Sequence, residues 1–212
     1  MDTINCGPGP RCLAVLVVFA LCAPALASDT GLAGGEGHPR ARFPLTVHAQ
    51  PLGEPRLDAA VKRAVDDWNA VAEETLGLRA FAWVERREAA QVTLATAPAP
   101  SPKMMGVTHV RADDAGVIAL PVRIVLYEAT ARGQTSRETV LYQIVAHELG
   151  HALGLPHTRD LRSLMCCVAG SVDFNDPVAR EAYIQMRRHP DVRTVRGELA
   201  EHYGRVWRRS RP

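Results

Sequence analysis

Three histidines and a glutamate lie close together in the segment HELGHALGLPH, residues 147–157. His147 and His151 are four residues apart, so on a helix both imidazoles project from one face and can bind one metal ion. Glu148 follows His147 directly, and its carboxylate can reach a water molecule on that metal. Because a catalytic zinc needs a third protein ligand and one open position, we predict one Zn²⁺ site with His157 as the third ligand.

For His157 to reach the metal, the helix must end and the chain must turn back. Gly154 is where we expect this reversal, because glycine tolerates the left-handed conformation that ends helices. Pro156 then prevents helical continuation. With this chain's own residue frequencies, HExxH alone would arise in roughly one such sequence in sixty, and adding Gly154 and His157 brings that to about one in twenty thousand. The pattern therefore indicates a metal site and not incidental histidines.

The predicted chemistry is metal-assisted hydrolysis. In this hypothesis the neutral imidazoles of His147, His151 and His157 hold the zinc, which lowers the pKa of its bound water and polarises a carbonyl. Glu148 is the catalytic general base that takes the proton of the water and delivers it to the leaving amine.

The segment 147–157 resembles the signature HExxHxxGxxH of the metzincin zinc peptidases, which a methionine turn follows. Met165 stands eight residues after His157, the offset of the matrixin branch, and Ser163-Leu164-Met165 is similar to its Ala-Leu-Met. The resemblance implies that Met165 forms an apolar floor beneath the zinc ligands. It also implies a secreted zinc endopeptidase of α+β class, with a twisted five-stranded mixed sheet, a long N-terminal helix, an active-site helix and a C-terminal helix.

In the same family, an edge strand of the sheet runs antiparallel to bound substrate and pairs with it through backbone hydrogen bonds. By this resemblance, residues 105–110 take that substrate-docking role, and the expected partner is an extended peptide or protein. The chain differs from the family at Cys166-Cys167, where matrixins usually carry Tyr-Pro. These cysteines fit either a disulfide between neighbours or two buried thiols, and we favour thiols. No calcium loop is recognisable, so a calcium requirement stays open.

Two other functions use the same residues. A zinc-binding module without proteolytic activity would need the three histidines, but it would have no need of a base at Glu148. A hydrolase of a non-protein amide, such as a cell-wall crosslink, would share the zinc chemistry. The expected edge strand favours an extended peptide over both.

Hydrophobic periodicity predicts the elements that must hold this site. Helices are expected over residues 57–76, over 135–153 with a capping box of Thr135 and Glu138, and again beyond Asp176 with an interruption near Pro190. Strands are expected at residues 43–49, 80–84, 91–95, 106–110 and 117–127.

The N-terminal sequence is typical of an export signal. An apolar run from Cys12 to Ala27 follows Arg11 and ends in Ala-Leu-Ala, which predicts a signal peptide over residues 1–27. Residues 28–42 are rich in glycine and charge and are expected to form a flexible leader, and residues 43–212 the catalytic domain with its C-terminal helix and basic tail. The protein is therefore expected to be secreted or periplasmic.

Composition excludes several classes of partner. The chain has 25 Lys and Arg against 23 Asp and Glu, and a net charge of +2 gives no field that would favour nucleic acid. After signal cleavage no segment is long and apolar enough to be an integral membrane span. Nothing in the sequence indicates oligomerisation, so a monomer is expected.

Overall fold

The computed structural model describes residues 31–101 and 104–209, and the expected signal peptide lies outside them. Within these ranges no helix is long and apolar enough to cross a membrane. The described strands are β1 (Leu45–Ala49), β2 (Phe81–Trp83), β3 (Val92–Ala97), β4 (Gly106–His109) and β5 (Val122–Tyr127), and the described helices are α1 (Pro55–Leu76), α2 (Arg137–Ala152), α3 (Pro177–Arg188) and α4 (Arg196–Arg209).

The strands form one five-stranded mixed sheet in the order β2-β1-β3-β5-β4. The first four are parallel, with Val47 opposite Val92 and Val92 opposite Val122, whereas β4 pairs antiparallel with β5. The parallel strands are connected by helical or long crossovers, as parallel pairing requires. The predicted α+β class and mixed sheet are therefore confirmed, and β4 is the edge strand.

Helix α1 and helix α2 pack together beneath the sheet. Pro55 occupies the first turn of α1, and Gly77 ends it in the left-handed conformation with φ of 66°. Apolar side chains at three- and four-residue spacing along α1 are buried in the core. Trp68 lies at the centre of this face, fully buried, and its Nε1 donates to the Ala146 carbonyl at 2.8 Å. This contact fixes α1 against the helix that carries the predicted site.

Helix α2 begins one residue later than the predicted capping box. Ser136 is the N-cap, and its hydroxyl accepts from the backbone N–H of Thr139. The expectation that Thr135 caps the helix is therefore wrong, because Thr135 instead pairs through its backbone with Arg132. Ser136 does the same work as a threonine would, since any short hydroxyl can satisfy an unpaired N–H of the first turn.

Strand β5 is also shorter than predicted. Val117 and Ile118 make only isolated backbone bridges, to Gly37 and Ala112, and the continuous ladder starts at Val122. The alternating pattern over residues 117–127 thus covers two separate pairings.

The N-terminal segment, residues 31–42, was expected to be flexible but packs along the C-terminal end of α2. The His38 ring is fully buried, and its Nε2 donates to the Ala152 carbonyl at 2.9 Å. Tyr203 of α4 donates to the Leu153 carbonyl at 2.8 Å. These two side chains satisfy carbonyls that a helix end leaves without intrahelical partners. The segment and α4 therefore hold the end of α2 in place.

Candidate metal centre

The last two turns of α2 and the loop that follows them bring the three predicted histidines together. The Nε2 atoms of His147, His151 and His157 lie 3.1–3.2 Å from one another. Among the residues that the structure describes, these three form the one cluster with metal-binding geometry. His151 is fully buried, while His147 and His157 are partly exposed, so the cluster opens on one side.

Backbone carbonyls determine which nitrogen of two rings faces the centre. His147 donates from Nδ1 to the Leu164 carbonyl, and His151 donates from Nδ1 to the Leu155 carbonyl, each at 2.8 Å. Because a carbonyl only accepts, both Nδ1 atoms carry the proton and both Nε2 atoms present a lone pair. Such second hydrogen bonds are typical of histidines that bind metals.

The donor set fits zinc. Two Nε2 lone pairs that face each other at 3.1 Å repel unless a cation lies between them. Tetrahedral zinc with Zn–N distances of about 2.0–2.1 Å places its nitrogen ligands about 3.3 Å apart, close to what is observed. Three imidazoles with one open side are the arrangement of a catalytic zinc site, not of a closed structural one.

Gly154 makes the chain reversal that brings His157 to the cluster. Its φ is +91°, and a Cβ at this position would lie 2.3 Å from the Glu36 carbonyl oxygen. Glycine is therefore required twice here, for the left-handed backbone and for the close approach of the N-terminal segment. The backbone N–H of Leu155 donates to the Gly150 carbonyl, which completes the end of α2.

Met165 packs against α2 at Gly150, between the first two histidines. It is fully buried in a tight turn that the hydrogen bond from the Cys166 N–H to the Ser163 carbonyl closes. A Cβ added at Gly150, between the first two histidines, would meet its sulfur atom at 2.4 Å. Met165 thus occupies the space that glycine leaves free in α2, and its burial there is compatible with the expected apolar floor.

Burial keeps the three imidazoles neutral. Desolvation, followed by the charge of His151, holds the pKa of His147 well below its ordinary value. Burial lowers the pKa of His151 to about 3, and burial followed by the charge of Arg187 lowers the pKa of His157. A metal and a proton compete for the same nitrogen, so these shifts favour the metal.

Glu148 is buried beside the cluster and is held by the edge strand. Thr108 of β4 lies 2.6 Å from Glu148 Oε2 and 3.0 Å from the Glu148 carbonyl, with its hydroxyl as donor. Gly106 of β4 leaves space at the other carboxylate oxygen, because a Cβ there would come within 2.9 Å of Oε1. Burial raises the pKa of Glu148 to about 7, opposed by the Thr108 hydrogen bond. The carboxylate is therefore oriented and readily protonated.

Cys166 and Cys167, which follow the turn methionine, form a disulfide. The expectation of two thiols is therefore wrong, although Cys166 is buried as expected. The backbone of Cys166 pairs with the backbone of Thr158, and this pairing joins the turn to the segment after His157.

Sequence reasoning missed Thr108. Its contact with Glu148 spans 40 residues, and nothing in a single sequence links the two positions. The alternation of Gly106 and Thr108 on one face of a predicted strand was the only available signal.

Comparison with known proteins agrees with this geometry. The sequence model of the matrixin family matches residues 42–177, more than half of the 212-residue chain. The match includes the sheet, α1, α2, the histidine cluster and Met165. A search of curated proteins finds no match.

Proposed function

Because the chain belongs to the matrixin family of zinc metalloendopeptidases, we propose that His147, His151 and His157 hold its catalytic zinc and that Glu148 is its general base. The observation that carries this proposal is the convergence of three Nε2 atoms within 3.2 Å, with a buried carboxylate beside them. Bound zinc supplies a Lewis acid that polarises the scissile carbonyl and acidifies a water molecule.

The residues of the chain supply the remaining steps. Thr108 holds Glu148 Oε2, so Oε1 is the oxygen left to accept the proton of the attacking water. Glu148 then delivers that proton to the leaving amine nitrogen. Burial raises the pKa of Glu148 to about 7 in the metal-free protein, and a bound cation would lower it, which favours the carboxylate form that accepts the proton.

Strand β4 is proposed to dock the substrate. Among the described strands it is at the edge of the sheet and pairs on one side only, with β5. Its outer backbone groups can therefore pair with an extended peptide that runs antiparallel to it. The contact of Thr108 with Glu148 ties this docking strand to the general base, so a peptide on β4 lies beside the site.

Export is proposed from the sequence alone. The apolar run from Cys12 to Ala27 supports a signal peptide cleaved after Ala27, and secretion or periplasmic export follows from it. N-terminal sequencing of the protein recovered outside the cytoplasm should begin at Ser28. An N-terminus at Met1 in that fraction would contradict the proposal.

The proposed activity is tested by incubating the 28–212 protein with a mixed peptide library, with and without a zinc chelator. We expect cleavage that the chelator stops and that added zinc restores. Cleavage that persists after measured removal of the metal would contradict the proposal.

A further inference from the structure

Strand β4 borders the proposed active site on one side. Gly106 lies against Ile144 and Glu148 of α2, where an added Cβ would come within 3.0 Å of the Ile144 Cγ2 atom. Thr108 lies further along, at the carbonyl and carboxylate of Glu148. Residues 144 and 148 of α2 therefore face the edge strand, and β4 advances in the same direction as α2.

On the other side of the proposed site, α2 presents a neighbouring row of residues that includes Gln143 and His147. His147 is bound to the Leu164 carbonyl, and Gln143, one turn before it, contacts α3. With its amide oxygen facing the guanidinium, Gln143 accepts from Arg187 Nη1 at 2.5 Å and from Nε at 3.2 Å. Gln143 is buried, so this pair has a fixed position about one helical turn, roughly 6 Å, along α2 from His147.

The direction of α2 relates Arg187 to the scissile bond. A peptide antiparallel to β4 runs opposite to α2, from the His151 end of the helix toward the Gln143 end. The bond to be cut lies at the histidine cluster. The residues on its C-terminal side therefore pass Gln143 and the guanidinium of Arg187.

Arg187 has no carboxylate partner among the residues that the structure describes. Its contacts there are the Gln143 amide and the ring of Tyr183, whose centroid lies 4.9 Å from the guanidinium carbon. Phe174, from the loop after the disulfide, packs edge-on against Tyr183. A half-buried cation held by an amide and an aromatic ring keeps donors that a carboxylate can use.

We propose that Arg187 selects substrates with an acidic side chain on the C-terminal side of the scissile bond. The inference rests on the proposed peptidase activity and on antiparallel docking along β4. Arg187 is a specificity residue in this account, since it contacts the substrate but not the reacting atoms. Because a hydrogen bond between two charged groups is stronger than one to a neutral amide, Glu is preferred over Gln at the position that reaches it.

The test compares wild type with Arg187→Gln, Arg187→Glu and a control, Arg188→Gln. Arg188 is exposed on the same helix and lines a different depression, with Arg63 and Asp67. A randomised peptide library first identifies the preferred residues around the cut. A matched Glu and Gln pair of the best sequence then gives the ratio of kcat/KM, and binding of both peptides to Glu148→Ala gives the same preference without turnover.

Wild type and Arg188→Gln should prefer the Glu peptide by about 10- to 100-fold. In Arg187→Gln the ratio should fall to near one, and Arg187→Glu should prefer Lys at that position. If Arg187 only ties α3 to α2, its replacement lowers Tm and leaves the preference unchanged, which overturns the inference but not the peptidase. The inference is also overturned if wild type cuts the Glu peptide and the Gln peptide equally well. If wild type loaded with zinc cuts no peptide, the proposed function itself fails, and this inference fails with it.

Discussion

The hydroxyl of Thr108 lies 2.6 Å from Glu148 Oε2, so the edge strand of the sheet holds the proposed general base directly. Both residues are buried, and the Thr108 oxygen also lies 3.0 Å from the Glu148 carbonyl. The strand proposed to dock substrate and the carboxylate proposed to move the proton are thereby in direct contact.

Replacing Thr108 by valine keeps the shape of the side chain but removes its hydrogen bond to Glu148. We expect kcat to fall by about tenfold or more, because the carboxylate loses its fixed orientation, with KM nearly unchanged. Thr108→Ser keeps the hydroxyl and should restore most of kcat. Steady-state kinetics with equal zinc content in all three proteins measures this, and an unchanged kcat in the valine variant would show that Thr108 does not orient Glu148.

Gly150 allows α2 and Met165 to approach each other. A Cβ here would lie 2.4 Å from the Met165 sulfur and 3.1 Å from the Trp68 ring, so Gly150→Ala overpacks the floor of the site. We expect a loss of about 1–3 kcal/mol in the free energy of unfolding. Gly204 of α4 is the matched control, since its nearest neighbour would be 3.7 Å away and alanine there should be neutral or stabilising. Equal unfolding midpoints of the two variants would contradict the packing.

Zinc binding should release a proton from Glu148. Burial raises the pKa of this carboxyl to about 7, so near pH 7 about half of the metal-free protein carries the proton. A cation beside it favours the carboxylate, which lowers its pKa and expels that proton. His151, with a pKa of about 3, is already neutral at this pH.

Titration calorimetry in buffers of different ionisation enthalpy measures the protons released. Wild type should release about half a proton more than Glu148→Gln at pH 7. Equal proton release by the two proteins would mean that Glu148 is ionised before the metal arrives.

Two buried histidines behind the Gly154 turn should make the fold sensitive to acid. Burial lowers the pKa of His38 to about 4, with a further contribution from Arg42, and burial lowers the pKa of His202 to about 4. An unfolded histidine titrates near 6.5, so the unfolded state binds more protons between pH 6.5 and 4. The stability that these neutral rings contribute is therefore fully present above pH 6.5. Between pH 6.5 and 4 the free energy of unfolding falls by about 1.4 kcal/mol per pH unit for each ring.

Denaturant unfolding at pH 7.5 and pH 5 checks this dependence. Neither His202 ring nitrogen has a hydrogen-bond partner of good geometry among the described residues, and the backbone of Glu36 is a weak contact of the ring, so His202→Leu removes a titrating group with little loss of hydrogen bonding. Between pH 7.5 and pH 5, the free energy of unfolding of this variant should fall by about 2 kcal/mol less than that of wild type. The same loss in both proteins would rule out His202 as a contributor.

Most of the helices and strands, and the histidine cluster itself, could be predicted from the sequence. Helix α1 and strand β1 before it follow hydrophobic periodicity closely, because the residues they bury recur at regular intervals along the sequence. His157 could be placed from Gly154 because left-handed backbone requires glycine. These features depend on local chemistry, which a single sequence contains.

Other features depend on contacts between distant segments. The N-terminal segment has no periodicity, yet Gly37 pairs with Val117 and the side chain of His38 reaches α2. The Gln143–Arg187 pair joins residues on two helices that the sequence does not relate. The disulfide of Cys166 and Cys167 could not be predicted from the sequence, because two adjacent cysteines can be either thiols or a disulfide.

The most direct test of the central claim measures zinc content and peptide cleavage together in wild type, Glu148→Gln and Glu148→Ala. Neither variant changes a proposed ligand, so both should hold one zinc per chain as wild type does. We predict that peptide cleavage falls by about a hundred- to ten-thousandfold, the range expected when a general base is lost. A variant that keeps its zinc and cleaves at the wild-type rate would contradict the role of Glu148.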